Sequence, residues 1–145
     1  MTKKNDITCA TLLVYDNKIL CCHVTNNLHW DLPKGIKEDN EFTAEDAALR
    51  ELREETGILL TEPLIPVCYD SYRPGKDIVL YGCHPPQKPI PTGCTSMFTL
   101  YGKEYPEMDD YQWVTLDDFL KITSKIMSKF IQRNREIIDI FLTFQ

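Results

Sequence analysis

The sequence predicts an α/β fold, a mixed sheet covered on both faces by helices. Three observations carry that expectation. Two pairs of apolar, strand-like runs are each joined by a short turn, one at Asp16-Asn17 and one at Arg73-Pro74-Gly75-Lys76. Between the pairs lies a capped helical stretch, Thr43 to Thr56. A second capped stretch starts at Thr115 and runs toward Phe141. Hairpins alternating with helices bury their apolar faces best as stacked layers.

The elements follow in order. Ile7 to Tyr15 and Lys18 to Val24 are rich in Val, Leu, Thr and Cys and read as a β-hairpin across Asp16-Asn17. Thr25 to His29 is a polar loop leading to Trp30-Asp31-Leu32-Pro33-Lys34, where Pro33 biases Leu32 toward extended backbone. Thr43 caps the first helix, with Asp46 three residues on completing a capping box. Gly57 supplies the left-handed residue that ends it, and Leu49 and Leu52 form its buried stripe. Leu64 to Tyr72 and Asp77 to Cys83 make the second hairpin, with Pro-Gly suiting a type II turn. By strand alternation Tyr69 and Tyr72 face opposite sides, so at most one of them meets a ligand. His84 to Thr95 is a twelve-residue loop with four prolines, and a loop that long in a small chain suggests a substrate-side lid. Ser96 to Tyr101 and Asp110 to Val114 are further strands. Thr115 then caps Leu116 to Ile122. Thr123 or Ser124 restarts a helix running toward Phe141, with Ile126, Phe130, Ile137, Ile138 and Phe141 expected in the core.

Length and composition bound the function. At 145 residues the chain is one domain, 1–145, large enough for a real core. A hydrophobic content of 43% and a charged content of 26% are ordinary for a soluble protein. The formal net charge of −6 argues against a long nucleic acid as partner, since that affinity comes from Lys and Arg neutralising phosphates. A small anionic substrate remains compatible, because a bound divalent ion reverses the local sign. The first residues show charge and then alternation, not a signal peptide, and no apolar run is long enough for a membrane span. A cytoplasmic protein, monomer or homodimer, with six reduced cysteines is expected. Cys83, His84 and Cys94 lack the spacing of a strong metal motif.

The chemistry concentrates between Gly35 and Ile58. Taking about 100° per residue, Glu51, Glu54 and Glu55 fall on one narrow helix face, and Ala44, Ala47 and Ala48 extend that face with side chains small enough to admit something bulky. Carboxylates about 5 Å apart at an effective dielectric of about 20 repel by roughly 3 kcal/mol per pair. A cation turns that liability into a site, and oxygen ligands favour Mg²⁺, with Mn²⁺ as a substitute, over zinc. On the helix alone, a solvated face laced by Asp46–Arg50 or Arg50–Glu54 pairs explains the same residues.

The surrounding residues decide between those readings. Gly35, Glu41 and the run Arg50-Glu51-Leu52-Arg53-Glu54-Glu55-Thr56-Gly57-Ile58 resemble the signature of the Nudix hydrolases: Gly, five residues, Glu, seven residues, then Arg-Glu-hydrophobic-any-Glu-Glu-any-Gly-hydrophobic. Seven fixed residue types at roughly 6% usage each coincide by chance on the order of 10⁻⁹ per starting position. One departure stands out: eight residues, Phe42 to Leu49, separate Glu41 from Arg50 where the family has seven. The extra residue most simply lengthens the turn before the helix and leaves the three later glutamates in place.

The resemblance implies a Nudix-type α/β/α sandwich over nearly the whole chain, MutT-like in class. It implies a metal-dependent pyrophosphohydrolase that cleaves a nucleoside diphosphate linked to another group. Glu54 and Glu55 would ligate the metal with the Gly35 carbonyl, Glu51 would be a ligand or the general base, and Arg50 would orient a glutamate. A further carboxylate often lies outside the signature, and Glu107, Asp109 and Asp110 are the candidates here. Lys34, Trp30, Tyr72 and Arg73 are the candidate substrate contacts. The run WDLPKG and the position of Tyr72 look like diadenosine tetraphosphate hydrolases, which makes dinucleoside polyphosphates the lead substrate class. Pro74 points instead toward ADP-ribose pyrophosphatases. Nucleoside triphosphates, nucleotide sugars, RNA 5′ ends and a non-catalytic nucleotide sensor complete the alternatives.

Overall fold

The computed structural model describes residues 4–144; residues 1–3 and 145, the ends of the expected 1–145 domain, lie outside the described residues. The strands are β1 (Asp6–Tyr15), β2 (Lys18–Val24), β3 (Trp30–Asp31), β4 (Lys34–Ile36), β5 (Ile65–Arg73), β6 (Lys76–Cys83), β7 (Met97–Leu100), β8 (Lys103–Pro106) and β9 (Met108–Val114). The helices are α1 (Ala44–Thr56), α2 (Leu116–Ile122), α3 (Lys125–Arg133) and α4 (Arg135–Thr143). Seven strands form one mixed sheet, and β7 and β8 form a separate two-stranded ribbon.

The first hairpin turns where expected, with Asp16 at φ 52° and Asn17 at φ 60°. Both central residues are left-handed, as a two-residue hairpin loop requires. Its strands then part. They pair only at Val14 with Ile19 and Tyr15 with Lys18. Further along, β1 takes β4 on one side and runs parallel to β6 on the other, while β2 takes β9 and β3. The segment from Trp30 to Ile36 fills the splay, hydrogen-bonded first to β2 and then to β1. Pro33 sits at the crossing, and its carbonyl accepts the Thr11 N–H at 3.0 Å. A residue without an N–H suits the point where the chain leaves one ladder for another. The consequence is positional: Asp31, Lys34 and Gly35 are carried to the open side of the splay.

Both faces of the sheet are covered. Cys9 and Leu13 of β1 pack with Ala47, Ala48 and Leu52 of α1. The alternate residues Ala10, Leu12 and Val14 pack with Phe119, Met127, Phe130, Ile131 and Ile138 of α2–α4. β1 is therefore apolar on both sides, as a strand at the centre of a covered mixed sheet must be. Each fully buried Leu or Phe there contributes about 1.5–3 kcal/mol by leaving water. Among the described residues no helix is long and apolar enough to cross a membrane.

Three expectations need correction. The last helix is not continuous: it breaks at Asn134, at φ −112° and ψ 18°, whose side-chain amide donates to the Phe130 carbonyl and to Asp70 on β5. The core residues of α3 are accordingly Met127, Phe130 and Ile131, while Ile126 and Ile137 are 38% and 42% exposed. Lys103–Pro106, left without an assignment by the sequence, is a further strand paired to β7 across Tyr101-Gly102, both at positive φ. Finally, the proline-rich loop is a strap and not a lid. Its Thr92 and Thr95 N–H groups donate to the carbonyls of Thr56 and Glu54 at 2.8 and 2.7 Å, tying off the end of α1. His84 within it bonds the Phe141 carbonyl, a structural role.

Candidate functional site

Helix α1 is placed by its ends and by its small residues. The Thr43 hydroxyl accepts the Asp46 N–H at 3.1 Å, and Gly57 at φ 76° returns its N–H to the Arg53 carbonyl. The alanine face does admit something bulky, and that something is the sheet. Ala47 and Ala48 are fully buried against it, which lets β4 cross the helix at close range. Leu52 is buried as expected and Leu49 only half-buried. Where β4 crosses, a Cβ added to Gly35 would fall inside the Glu51 carboxylate. Only glycine leaves that cradle open.

Three carboxylates line the second half of α1 in different settings. Glu55 is 2% exposed and accepts the Lys34 backbone N–H at 2.9 Å. Burial pushes its carboxyl well above the usual carboxylate range, against the lowering effect of that N–H. Glu51 is also buried and raised by burial, although Arg50 at 2.7 Å works the other way. Glu54, at the same guanidinium 3.1 Å away, remains partly open to solvent.

Arg50 is the hub of the arrangement. Its Nε and Nη2 donate to the two oxygens of Glu41, each at 2.9 Å, and Nη2 also reaches the Ile36 carbonyl at 3.1 Å. This two-pronged bond answers the question raised by the longer spacing. Across the eight intervening residues Glu41 still meets Arg50. The Glu41 bonds raise the guanidinium above its ordinary value, outweighing desolvation, and Arg50 in turn holds Glu41 below its own.

A cavity of about 430 Å³ opens beside this cluster, within the usual size range for small-molecule sites. Glu55, Gly35, Asp31 and Lys34 lie on its helix side. Tyr72, Arg73, Lys76, Phe98, Glu107 and Met108 supply much of the rest of its wall. Of the expected substrate contacts, Lys34, Tyr72 and Arg73 therefore reach the cavity. The Lys34 ammonium is paired with Asp31 at 3.0 Å. Burial lowers its pKa, but Asp31 outweighs burial and the net is a rise. Tyr69 points outward to Asp77, as strand alternation predicted.

Trp30 is a correction. Its pairing with His23 across β2 and β3 turns the ring onto the His23 imidazole, centroids 5.1 Å apart, and toward the core. It does not line the cavity. The three outer acids are also separated. Glu107 lines the cavity, Asp109 bonds His23, and Asp110 accepts the N–H of Tyr111. Sequence reasoning missed Lys76 and Phe98, which carry no local motif.

Among the described residues no three His, Cys, Asp or Glu side chains converge as around a bound ion. The reason is visible: Arg50 draws Glu51 and Glu54 toward itself, and the Lys34 N–H holds Glu55. The donor set nonetheless fits a hard divalent cation. It is all oxygen, two of its carboxylates are buried, Glu55 with its ionised form disfavoured by burial, and the missing side chain of Gly35 lets the Glu51 carboxylate lie directly against the main chain.

Residues 6–133 match the family described as NUDIX domain. The chain belongs to the Nudix family. It is a Nudix pyrophosphohydrolase, an enzyme acting on acid anhydrides, and its family generally needs divalent metals. Among curated proteins no sequence match is found. Solved structures of the same fold include the NUDIX domain of Shewanella oneidensis NrtR complexed with ADP ribose, at 20% identity, covering 94% of this chain and 90% of that one, TM-score 0.68. An ADP-ribose pyrophosphatase from Streptococcus suis has 14% identity, 98% and 96% coverage and TM-score 0.69. A bifunctional NMN adenylyltransferase/ADP ribose pyrophosphatase from Francisella tularensis, complexed with AMP and Mn ion, has 23% identity, 97% and 42% coverage and TM-score 0.58. At these identities the likeness is one of fold. The Nudix signature thus occupies α1 and the strand crossing it, as the sequence resemblance implied.

Proposed function

We propose that this single domain, residues 1–145, hydrolyses nucleoside diphosphates linked to a second group, with Mg²⁺ as its metal and dinucleoside polyphosphates as the lead substrate class. The observation that carries the proposal is one cavity lined by Glu55 of the acidic helix together with the cations Lys34, Arg73 and Lys76 and the aromatics Tyr72 and Phe98. Glu54, Glu55 and the Gly35 carbonyl would hold the metal, with Glu107 as the outer carboxylate. When bound there, a divalent metal would supply charge neutralisation for the phosphoryl oxygens and a more acidic water. Glu51 joins the ligand set or takes the proton of that water. Arg50, itself fixed by Glu41, keeps Glu51 and Glu54 from spreading apart. Lys34 and Arg73 meet phosphate oxygens. Tyr72 and Phe98 bound the space for a base, and stacking of that kind is worth roughly 1–3 kcal/mol.

A second reading takes ADP-ribose as substrate. The ADP-ribose pyrophosphatase among the solved neighbours and the ADP ribose bound to another favour it. The test is a product analysis with Mg²⁺ and then Mn²⁺ across dinucleoside polyphosphates, nucleoside triphosphates, ADP-ribose and 5′-triphosphate RNA, wild type beside Glu55→Gln. ATP plus AMP from diadenosine tetraphosphate supports the lead class, and AMP plus ribose phosphate from ADP-ribose supports the second. The substitution should lower turnover roughly a thousandfold with the fold unchanged by circular dichroism. Full activity in Glu55→Gln would sink the assignment of the helix carboxylates. Nucleotide binding without turnover in the wild type would favour a sensing role.

A further inference from the structure

We propose that Arg73 and Lys76 form an anion subsite for a phosphate beyond the scissile anhydride, so that the enzyme prefers substrates whose second group is itself charged. This rests on the pyrophosphohydrolase reading above and sharpens its substrate class. The two residues flank the Pro74-Gly75 turn and are direct partners in the β5–β6 ladder. Partners directly opposite on antiparallel strands project to the same face, and like charges held that way are destabilising. Arg73 is exposed and Lys76 half-buried, so water screens part of this repulsion, and a bound anion would relieve what remains. Asp6 on β1 is in register with Lys76 and also offsets part of it. Within 4.0 Å, however, neither cation has an ion-pair partner among the described residues, and Asp70 is taken by Arg133 and Lys34 by Asp31. Both side chains instead line the cavity.

The strand is shaped to bring them there. The β5–β6 register shifts between Ser71 and Arg73, leaving Tyr72 as the unpaired residue. A bulge breaks the alternation of a strand. That is how the neighbours Tyr72 and Arg73 both come to line one cavity. In a chain of net charge −6, Arg73 and Lys76 line the same cavity as Glu55, Asp31 and Glu107, giving it a basic pole as well as an acidic one. The acidic pole suits metal and scissile anhydride, and the basic pole suits a further phosphate. ADP-ribose offers a neutral sugar at that position. Nucleoside triphosphates and dinucleoside polyphosphates offer an anion.

The experiment measures kcat/KM for ADP-ribose, ATP and diadenosine tetraphosphate with wild type, Lys76→Gln, Arg73→Gln and Lys76→Arg. Lys76→Gln should lose roughly tenfold on the two longer substrates, mainly through KM, and less than about twofold on ADP-ribose, and Arg73→Gln should lose more on the two longer substrates than on ADP-ribose. Lys76→Arg should restore the preference. An equal fall on all three substrates, or no fall, overturns the subsite. Titration with inorganic tripolyphosphate in metal-free buffer judges it independently of turnover. Wild type should bind, and Lys76→Gln should bind roughly tenfold more weakly. No binding by wild type, or unchanged binding by the variant, also overturns it. A wild type that hydrolyses nothing in the panel removes the proposed function, and the tripolyphosphate titration then still decides the subsite.

Discussion

The two walls of the cavity are built in opposite ways. The helix wall is local: Gly35, Glu41, Arg50, Glu51, Glu54 and Glu55 lie within a short stretch of chain, and helix spacing alone brings most of them together. The far wall is assembled from three separate places, the β5–β6 turn, the β7–β8 ribbon and the start of β9. The helix wall holds most of the groups proposed for bond cleavage and the far wall most of those proposed for choosing the substrate, with Glu107 and Lys34 as the crossovers. A local wall is held by direct hydrogen bonds among its own residues. A distributed wall can change one strand at a time without disturbing the other side.

The sharpest way to break the helix wall is Gly35→Ala. The added methyl must displace the Glu51 carboxylate, the far end of its side chain, from its bond to Arg50. A misplacement of about 1 Å in a reacting group is worth roughly a hundredfold in rate, and overpacking a filled site costs about 1–3 kcal/mol. The variant should therefore lose about a hundredfold or more in kcat and melt earlier. Near wild-type kcat would mean that the position of Glu51 does not matter to the reaction.

The same contrast governs what could be read from the sequence. Caps, the carboxylate face and the first hairpin turn follow from residues a few positions apart, so Thr43, Gly57 and Asp16-Asn17 announced themselves. The role of Glu41 did not, because the structure of the lengthened stretch between Glu41 and Arg50 is set by whether Arg50 can reach back to it. The break at Asn134 was invisible for a related reason. No proline or glycine marks it, and the asparagine is stabilised there by Asp70, which is distant in sequence. Trp30 misled because an aromatic residue ahead of a signature looks like a base platform. Its direction is set by pairing with His23, a fact of sheet register. Phe98 and Lys76 were missed because one aromatic and one lysine in short strands match no pattern until the strands are placed.

Removing an aromatic from the far wall tests the division of labour at lower amplitude. Phe98 lines the cavity from the ribbon and also rests on Tyr105, with ring centroids 5.8 Å apart. Phe98→Ala should raise KM by the equivalent of about 1–3 kcal/mol, the range seen for stacking on a base, while kcat stays within a few-fold. Steady-state kinetics on the best substrate of the panel separates the two parameters. A fall in kcat with KM unchanged would place Phe98 functionally with the helix wall.

The smallest expected effect concerns what anchors the far wall. Asp70 on β5 accepts from the Asn134 amide at 2.9 Å and from Arg133 Nε at 3.1 Å, joining the strand that carries Arg73 to the break between α3 and α4. The Asn134 bond first, and Arg133 after it, hold the Asp70 carboxyl below its ordinary value. A carboxylate depressed on folding adds stability above its unfolded pKa and loses it as pH falls through the folded value. Asp70→Asn should thus be less stable than wild type near pH 7, by less than about 1 kcal/mol because the pair is partly solvated. The gap should close in strong acid, where wild-type Asp70 is protonated too. Urea melts of both proteins at neutral and acidic pH measure it. Because the tie reaches the far wall alone, any kinetic change should appear in KM and spare kcat. A variant that lost kcat instead would show that β5 positions the catalytic helix as well.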